Sequence, residues 1–315
     1  MTNESRTSVS RRGLLTGAVS VGAAALLGAP TLARAAEDKA VLKGRIKQSL
    51  CYWCLNVDGE KWDLEKICQV AKELGVPSVE LCDASMFPTL KKHNLVCAMT
   101  NCGMPGAPFV RGLNQKKFHD EIVTTTCKTI DACAEAGMPS TICFTGFKWK
   151  DPTDPKSGEI DRDECFNNCV KGMKRLAQHA ELKGVNVCLE MLNSRDGTHP
   201  MKGHPGYQGD CMDYCADMIK AVGSKRIKLL FDCYHVQIMN GDVMRRIGQY
   251  KDLIAHIHVA GSPGRNEMDE NQEMNYPPIM RKLIEVGYTG YVGLEYLPTR
   301  NTMEGLRQAV KLLDV

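Results

Sequence analysis

The sequence predicts an α/β fold of (β/α)8 TIM-barrel type, and three observations carry that prediction. Short β-rich runs alternate with helical patterns eight times from residue 46 onward. The 280 residues after an amino-terminal leader match what such a barrel needs, typically about 250. No Gly-x-Gly-x-x-Gly follows the first strand, so the open dinucleotide-binding sheet, the other fold built on this alternation, lacks its signature. No internal repeat and no Pro/Gly/Ser-rich linker divides the chain, and residues 36–315 read as a single domain.

The strand candidates are 46–53, 78–83, 95–101, 140–146, 185–192, 227–234, 254–261 and 291–298, each a short run rich in β-branched and apolar residues. Between them, apolar residues recur with a 3.6-residue period over 63–74, 114–136, 161–183, 210–222 and 275–287. Shorter helices are expected near 85–93 and 243–251. Stop signals separate helix from strand at Leu74-Gly75-Val76-Pro77, Ala136-Gly137-Met138-Pro139 and Val286-Gly287.

The first 35 residues differ from the rest. Ser10-Arg11-Arg12-Gly13-Leu14-Leu15 opens a weakly apolar Gly/Ala/Leu run that ends at Ala33-Arg34-Ala35, a small-x-small cleavage site. Paired arginines, apolar run and cleavage site predict a twin-arginine export signal, cut after Ala35, and a periplasmic or secreted soluble product with no membrane span. The whole chain carries a net charge of +3, all of it contributed by the leader, so the remaining body is formally neutral. A neutral body lacks the positive field that drives nucleic-acid binding, and no nucleic-acid partner is expected.

All 15 cysteines follow the leader. Cys51-Tyr52-Trp53-Cys54 has the spacing of a redox motif, but it sits at the end of a strand-like run instead of opening a helix. Cys143, Cys188 and Cys233 fall inside strand patterns, so most of the thiols read as small hydrophobes filling the core.

Chemistry in such a barrel collects at the carboxyl ends of the strands. Here the fifth strand ends at Glu190, the sixth at Asp232, the seventh carries His258 and the eighth Glu295. Strand alternation turns these four inward and sends Val187, Leu189, Leu229, Phe231, Ile257, Val259, Val292 and Leu294 toward the helices. Three carboxylates and an imidazole at one mouth repel one another unless a cation joins them. The set offers hard oxygen ligands with one nitrogen, suited to a single Mn²⁺, Mg²⁺ or Co²⁺. His256 lies one layer deeper on the same face and reads as a hydrogen-bonded supporting or core histidine. Tyr52 and Trp53 could wall the pocket, Asn193, Arg195 and Asp196 lie just beyond Glu190, and His199 and His204 flank a loop where exposed histidines are commonplace.

The blocks Leu189-Glu190-Met191-Leu192-Asn193-Ser194-Arg195-Asp196, Phe231-Asp232-Cys233-Tyr234-His235-Val236-Gln237, His256-Ile257-His258 through Glu267, and Gly293-Leu294-Glu295-Tyr296 resemble the xylose isomerase-like TIM barrels. Within them the chain looks most like the hydroxypyruvate isomerases, and Glu273-Met274-Asn275-Tyr276-Pro277 strengthens that match. The resemblance spans roughly residues 44–300. It implies that Glu190, Asp232, His258 and Glu295 bind one divalent metal ion, that Glu190 and Glu295 transfer protons, and that His235 and Arg265 contact substrate oxygens. Two positions depart from it. His258 stands where those isomerases tend to have Gln, as in the ketose epimerase branch, and Leu297 stands where they tend to have Lys.

The expected activity is isomerisation of a small hydroxycarbonyl compound or sugar, with hydroxypyruvate converted to tartronate semialdehyde through an enediolate. A ketose 3-epimerase or a keto-inositol dehydratase would use a similar site, and a periplasmic sugar-binding module is the non-enzymatic alternative. A DNA-repair endonuclease of the same superfamily would need histidines at the ends of the second and third strands, where Cys82-Asp83 and Asn101-Cys102 stand. Self-association into a homo-oligomer is expected.

Overall fold

A computed structural model describes residues 42–315; the predicted export signal lies outside the described residues. In chain order the elements are β1 (Lys47–Cys51), α1 (Tyr52–Val57), α2 (Leu64–Leu74), β2 (Ser78–Glu80), α3 (Phe87–Lys92), α4 (His119–Ala136) and β3 (Ser140–Cys143). They continue with β4 (Trp149–Asp151), β5 (Asp154–Glu159), α5 (Arg162–Lys183), β6 (Asn186–Glu190), α6 (Met212–Val222), β7 (Ile227–Asp232) and α7 (Cys233–Met239). The last are α8 (Val243–Tyr250), β8 (Ile254–Val259), α9 (Tyr276–Glu285), β9 (Tyr291–Leu294) and α10 (Thr302–Leu313).

Seven strands form one parallel sheet in the order β2-β1-β9-β8-β7-β6-β3. The segment between its two ends, predicted as a third strand over 95–101, makes only isolated bridges: Ser78 to Val96 and Cys82 to Thr100 on one side, Thr100 to Thr141 on the other. Those bridges join β2 to β3 and close the ring. The ladder there is broken because neighbouring side chains take its backbone donors, Ala98 N–H giving to Ser78 Oγ at 3.1 Å and Cys97 N–H to Met138 Sδ at 3.1 Å. Strand β2 stops at Glu80, short of the predicted residue 83, because Leu81 turns into the left-handed region at φ 54°.

Alternation along the strands sorts the core into two layers. Val187, Leu189, Leu229, Phe231, Ile257, Val259, Val292 and Leu294 pack in the large cluster against the helices. Cys51, Ile142, Cys188 and Leu230 belong to a second, smaller cluster within the ring. The predicted helix stops hold at Gly75 and Gly137, whose positive φ angles of 72° and 74° end α2 and α4. Unanticipated are helix α1, which begins at Tyr52 inside the predicted strand 46–53, the short antiparallel hairpin of β4 and β5, and helix α7, which begins at Cys233 inside the predicted strand 227–234.

The redox-motif reading needs a correction. Cys51 is the N-cap of α1 and Cys54 lies in its first turn, so the motif does open a helix. Both thiols are fully buried, and that burial holds each pKa above its ordinary value, the opposite of a reactive thiolate. All fifteen cysteines are free, and all but Cys127 and Cys211 are buried, which agrees with core filling. No helix among the described residues is long and apolar enough to cross a membrane.

Candidate active site

The sheet register brings the predicted ligands together. Asp232 on β7 pairs with His258 on β8, His258 pairs with Gly293 on β9, and Glu295 N–H donates to Val259 O at 3.0 Å just beyond the ladder. Glu190 closes β6 at the same end of the sheet. Ligand atoms of Glu190, Asp232, His258 and Glu295 all lie within 4.8 Å of one another, and all four residues are buried. His258 Nδ1 stands 3.4 Å from Glu190 Oε1 and 2.8 Å from Glu295 Oε2.

Three of the four are aimed by a neighbour. Asp232 caps α7 with one oxygen, Oδ1 accepting from Tyr234 N–H at 2.7 Å and His235 N–H at 3.4 Å, which leaves Oδ2 turned to the cluster. Glu295 Oε1 accepts from Trp53 Nε1 at 3.0 Å. His258 Nε2 lies 2.8 Å from Glu80 Oε1, and the same oxygen lies 2.8 Å from His256 Nε2. Glu80 is buried and held well below the usual carboxylate range: burial opposes its charge, but His256 and His258 outweigh it. An ionised carboxylate only accepts, so both imidazoles donate through Nε2. That assignment leaves His258 Nδ1 as the nitrogen facing the carboxylates.

Electrostatics separate the carboxyls. Burial, with the neighbouring charge of Glu295, raises Glu190 to about 7 although His258 pulls the other way. Burial also raises Asp232 to about 6, against the pull of Arg265. Glu295 is lowered to about 2, because Arg265 and His258 outweigh its desolvation. His258 is pushed well above the usual imidazole range, since Glu295, Glu190 and Glu80 overcome the effect of burial.

The donor set fits a divalent cation. Glu190 Oε1 and His258 Nδ1 are buried without a hydrogen-bond partner, so an oxygen and a nitrogen of the types that bind such a cation face the cluster unsatisfied. Three carboxylates and one imidazole are the ligands expected for Mg²⁺, Mn²⁺ or Co²⁺.

Arg265 lies over the cluster instead of in solvent. It is 2% exposed, its Nη2 reaches Asp232 Oδ2 at 3.4 Å and bonds to Glu295, and its Nη1 donates to Met201 O at 2.6 Å. Its backbone, at φ 55°, is held from both sides, Leu297 N–H donating to Arg265 O at 2.7 Å while Asn266 Nδ2 donates to Leu297 O at 2.9 Å. The Glu273–Pro277 block anchors this loop: Glu273 N–H donates to Ser262 O, and Ala260 N–H donates to the Tyr276 hydroxyl at 3.1 Å.

A cavity of about 580 Å³ opens above the cluster, lined by Trp53, Glu190, Arg265 and Glu295 on one side and by Asp83, Asn101 and Phe109 among others. His235 is not among its lining residues. Its Nδ1 accepts from Asn193 Nδ2 at 2.7 Å, its Nε2 stands 3.5 Å from Asp232 Oδ2, and burial followed by the charge of Arg265 keeps it neutral. His235 thus stands behind a ligand, beside the cluster. His204, expected to be an exposed loop residue, is buried, lines the cavity and packs on Phe109 with ring centroids 4.2 Å apart. His256 takes the supporting place predicted for it, bonded to Glu80. The sequence reading passed over Glu80 itself; the available signal was an acid between Val79 and Leu81 in an inward position of a short apolar strand.

Similarity to known proteins agrees with this geometry. The family pattern described as "Xylose isomerase-like TIM barrel" matches residues 68–314. The 2-oxo-tetronate isomerase of Cupriavidus necator is 36% identical over 148 residues, 47% of this chain and 54% of that protein. A Drosophila melanogaster protein named "Putative hydroxypyruvate isomerase" is 38% identical over 108 residues, 34% of this chain and 41% of that protein. The aligned parts thus span about half the length of these relatives. The crystal structure named AP endonuclease, family 2, from Brucella melitensis superposes with a TM-score of 0.67 at 25% identity, covering 83% of this chain and 97% of that one. The chain belongs to the xylose isomerase-like TIM barrel family.

Proposed function

We propose that this chain is a divalent-metal-dependent isomerase that moves a proton between adjacent carbons of a small hydroxycarbonyl compound. The observation that carries the reading is the pair Glu190 and Glu295. They are two buried carboxyls, separated around the rim by β7 and β8, whose surroundings drive their pKa values apart. Such a split is how one site holds both a proton acceptor and a proton donor. Without a cation, Glu190, at about 7, exchanges a proton near neutral pH, while Glu295 stays ionised. Glu190, Asp232, His258 and Glu295 would hold a divalent ion, which would supply Lewis-acid stabilisation for the oxygen on which negative charge develops.

The relatives' names bring hydroxypyruvate and 2-oxo-tetronate as first substrates to try. With hydroxypyruvate, a carboxylate takes the proton from C3 and it is returned at C2, while the hydroxyl proton on O3 passes to O2. The product is tartronate semialdehyde. Arg265, bonded to Asp232 and Glu295, adds positive charge where the anion forms.

Epimerisation at C3 of a ketose is the second reading, with one carboxyl on each face of the carbon. It is favoured by Arg265, whose guanidinium is already shared between two carboxylates and so has less charge to offer an acidic substrate. A multinuclear endonuclease site is not favoured. Among the described residues, only this cluster and Cys51, Glu80 and His258 gather three or more metal-binding groups.

Glu190→Gln and Glu295→Gln test the proton-transfer roles. With metal content matched by elemental analysis, each should lower turnover by about 10²–10⁴-fold; full turnover in either would overturn the two-carboxyl mechanism. We further propose that the protein acts outside the cytoplasm after removal of its leader. Amino-terminal sequencing of exported protein should begin at Ala36, and a chain beginning at Met1 or Thr2 would contradict this.

A further inference from the structure

We infer that Tyr207 is a positioning residue for Glu190: its hydroxyl, bonded between Thr145 N–H and the Glu190 carbonyl, fixes where the Glu190 carboxyl stands in the ligand cluster. This rests on the isomerase reading above and deepens it with a residue that lies outside the cavity lining.

The other three members of the cluster are aimed by a hydrogen bond to the side chain itself. Asp232 caps α7, Trp53 donates to Glu295 and Glu80 holds His258, whereas Glu190 Oε1 is buried without a hydrogen-bond partner. The direction of Glu190 must then come from its backbone. On one side β7 holds it, with Glu190 opposite Leu230. On the other side, β3 ends at Cys143, opposite Leu189 of β6. Just beyond, Thr145 N–H donates to the Tyr207 hydroxyl at 2.9 Å, and that hydroxyl donates to Glu190 O at 2.9 Å. A phenol oxygen thus takes the next rung and spaces the two strand ends where a direct bond would draw them together. With the peptide planes on both sides of the Glu190 Cα held, the direction of its Cα–Cβ bond is set.

The segment carrying Tyr207 delivers that hydroxyl. Gln208 N–H donates to Gly146 O at 2.9 Å and Lys148 N–H to Gly206 O at 2.8 Å, so this segment runs antiparallel to the chain leaving β3. Gly209 N–H donates to Thr145 Oγ1 at 2.9 Å. Gly206, at φ 97°, has no room for a side chain, since a Cβ there would lie 2.6 Å from Trp149 Nε1. Tyr207 is 1% exposed, and its hydroxyl satisfies two backbone groups that would otherwise be buried unpaired. Packing alone would be served by phenylalanine; the hydroxyl is what reaches the carbonyl of a ligand.

A double-mutant cycle in full-length protein tests this. Tyr207→Phe should weaken Mn²⁺ binding about tenfold in titration calorimetry, the lower end of what hydrogen bonds behind metal ligands contribute. In the Glu190→Gln background the same change should move the Kd by less than about twofold, because the residue it acts through is already altered. An equal factor in both backgrounds, or an unchanged Kd in Tyr207→Phe, would overturn the inference. Should Glu190→Gln bind Mn²⁺ too weakly to titrate, crystal structures of the unaltered protein and of Tyr207→Phe decide. A Glu190 carboxyl displaced by about 0.5 Å or more, with Asp232 and Glu295 in place, supports the inference, and an unmoved one overturns it. Gly209→Ala keeps the hydroxyl but pushes on the ring, its Cβ lying 3.1 Å from Tyr207 Cε1, and should weaken binding in the same way; it replaces Tyr207→Phe if that variant does not fold. Tyr250→Phe takes a buried hydroxyl from Asp213 between α8 and α6, and should lower stability while leaving the Kd within about twofold. Equal weakening there would overturn the inference by showing general loosening. At saturating Mn²⁺, deuterium exchange into hydroxypyruvate should show kcat lowered about tenfold in Tyr207→Phe with KM within about twofold. If neither hydroxypyruvate nor D-fructose exchanges in the unaltered protein, the isomerase reading fails, and the Mn²⁺ cycle still decides the role of Tyr207.

Discussion

Glu80 holds His258 by its Nε2 at 2.8 Å, and this contact decides which ring nitrogen faces the carboxylate cluster. A carboxylate that fixes the tautomer of a ligating histidine commonly accounts for about 10–100-fold in metal affinity. Glu80→Ala should therefore weaken Mn²⁺ binding by that factor in titration calorimetry, while Glu80→Gln, which keeps an acceptor, should lose less. Gly293→Ala provides an independent check, because its Cβ would lie 2.2 Å from Glu80 Oε1 and 2.8 Å from His258 Cδ2. It should weaken Mn²⁺ binding and cost about 1–3 kcal/mol of stability in denaturant unfolding. Unchanged Mn²⁺ affinity in both Glu80→Ala and Gly293→Ala would remove Glu80 from the site.

Metal binding should release protons. Without a cation, Glu190 titrates at about 7 and Asp232 at about 6, and His258 is held protonated well above the usual imidazole range. All three bind a cation in their deprotonated forms. Affinity for Mn²⁺ should accordingly fall as pH drops from 8 toward 5.5. Calorimetry at pH 7 in two buffers of different ionisation enthalpy should find at least one proton released per ion. An affinity independent of pH over that range would contradict the environments described for Glu190 and Asp232.

Much of this was legible in the sequence because strand alternation is a strict period. Once Val187 and Leu189 face the helices, Cys188 and Glu190 must face the axis, and the same reasoning placed Asp232, His258 and Glu295. What escaped the reading depends on contacts between distant residues. The segment 95–101 has the composition of a strand, but Ser78 and Met138 take two of its backbone donors. Asp232 was read as a strand residue with Cys233 and Tyr234 continuing, yet its side chain caps a helix that starts at Cys233. Glu80 drew no attention because its partners, His256 and His258, are 176 and 178 residues away. The hairpin of β4 and β5 has no apolar alternation and is held by local contacts, such as Asp151 N–H to Ser157 Oγ at 2.9 Å.

The central claim is that Glu190 and Glu295 move a proton on a carbon next to a carbonyl with the help of a divalent ion. Proton exchange in D₂O, followed by NMR with Mg²⁺ and again with chelator, tests it most directly. The account predicts deuterium uptake from solvent at C3 of hydroxypyruvate or at C3 of a ketose, present with Mg²⁺ and lost with chelator. Appearance of tartronate semialdehyde would identify the isomerase, and exchange only at a ketose C3 the epimerase. Exchange that persists undiminished in chelator, or no exchange in any of these compounds, would contradict it.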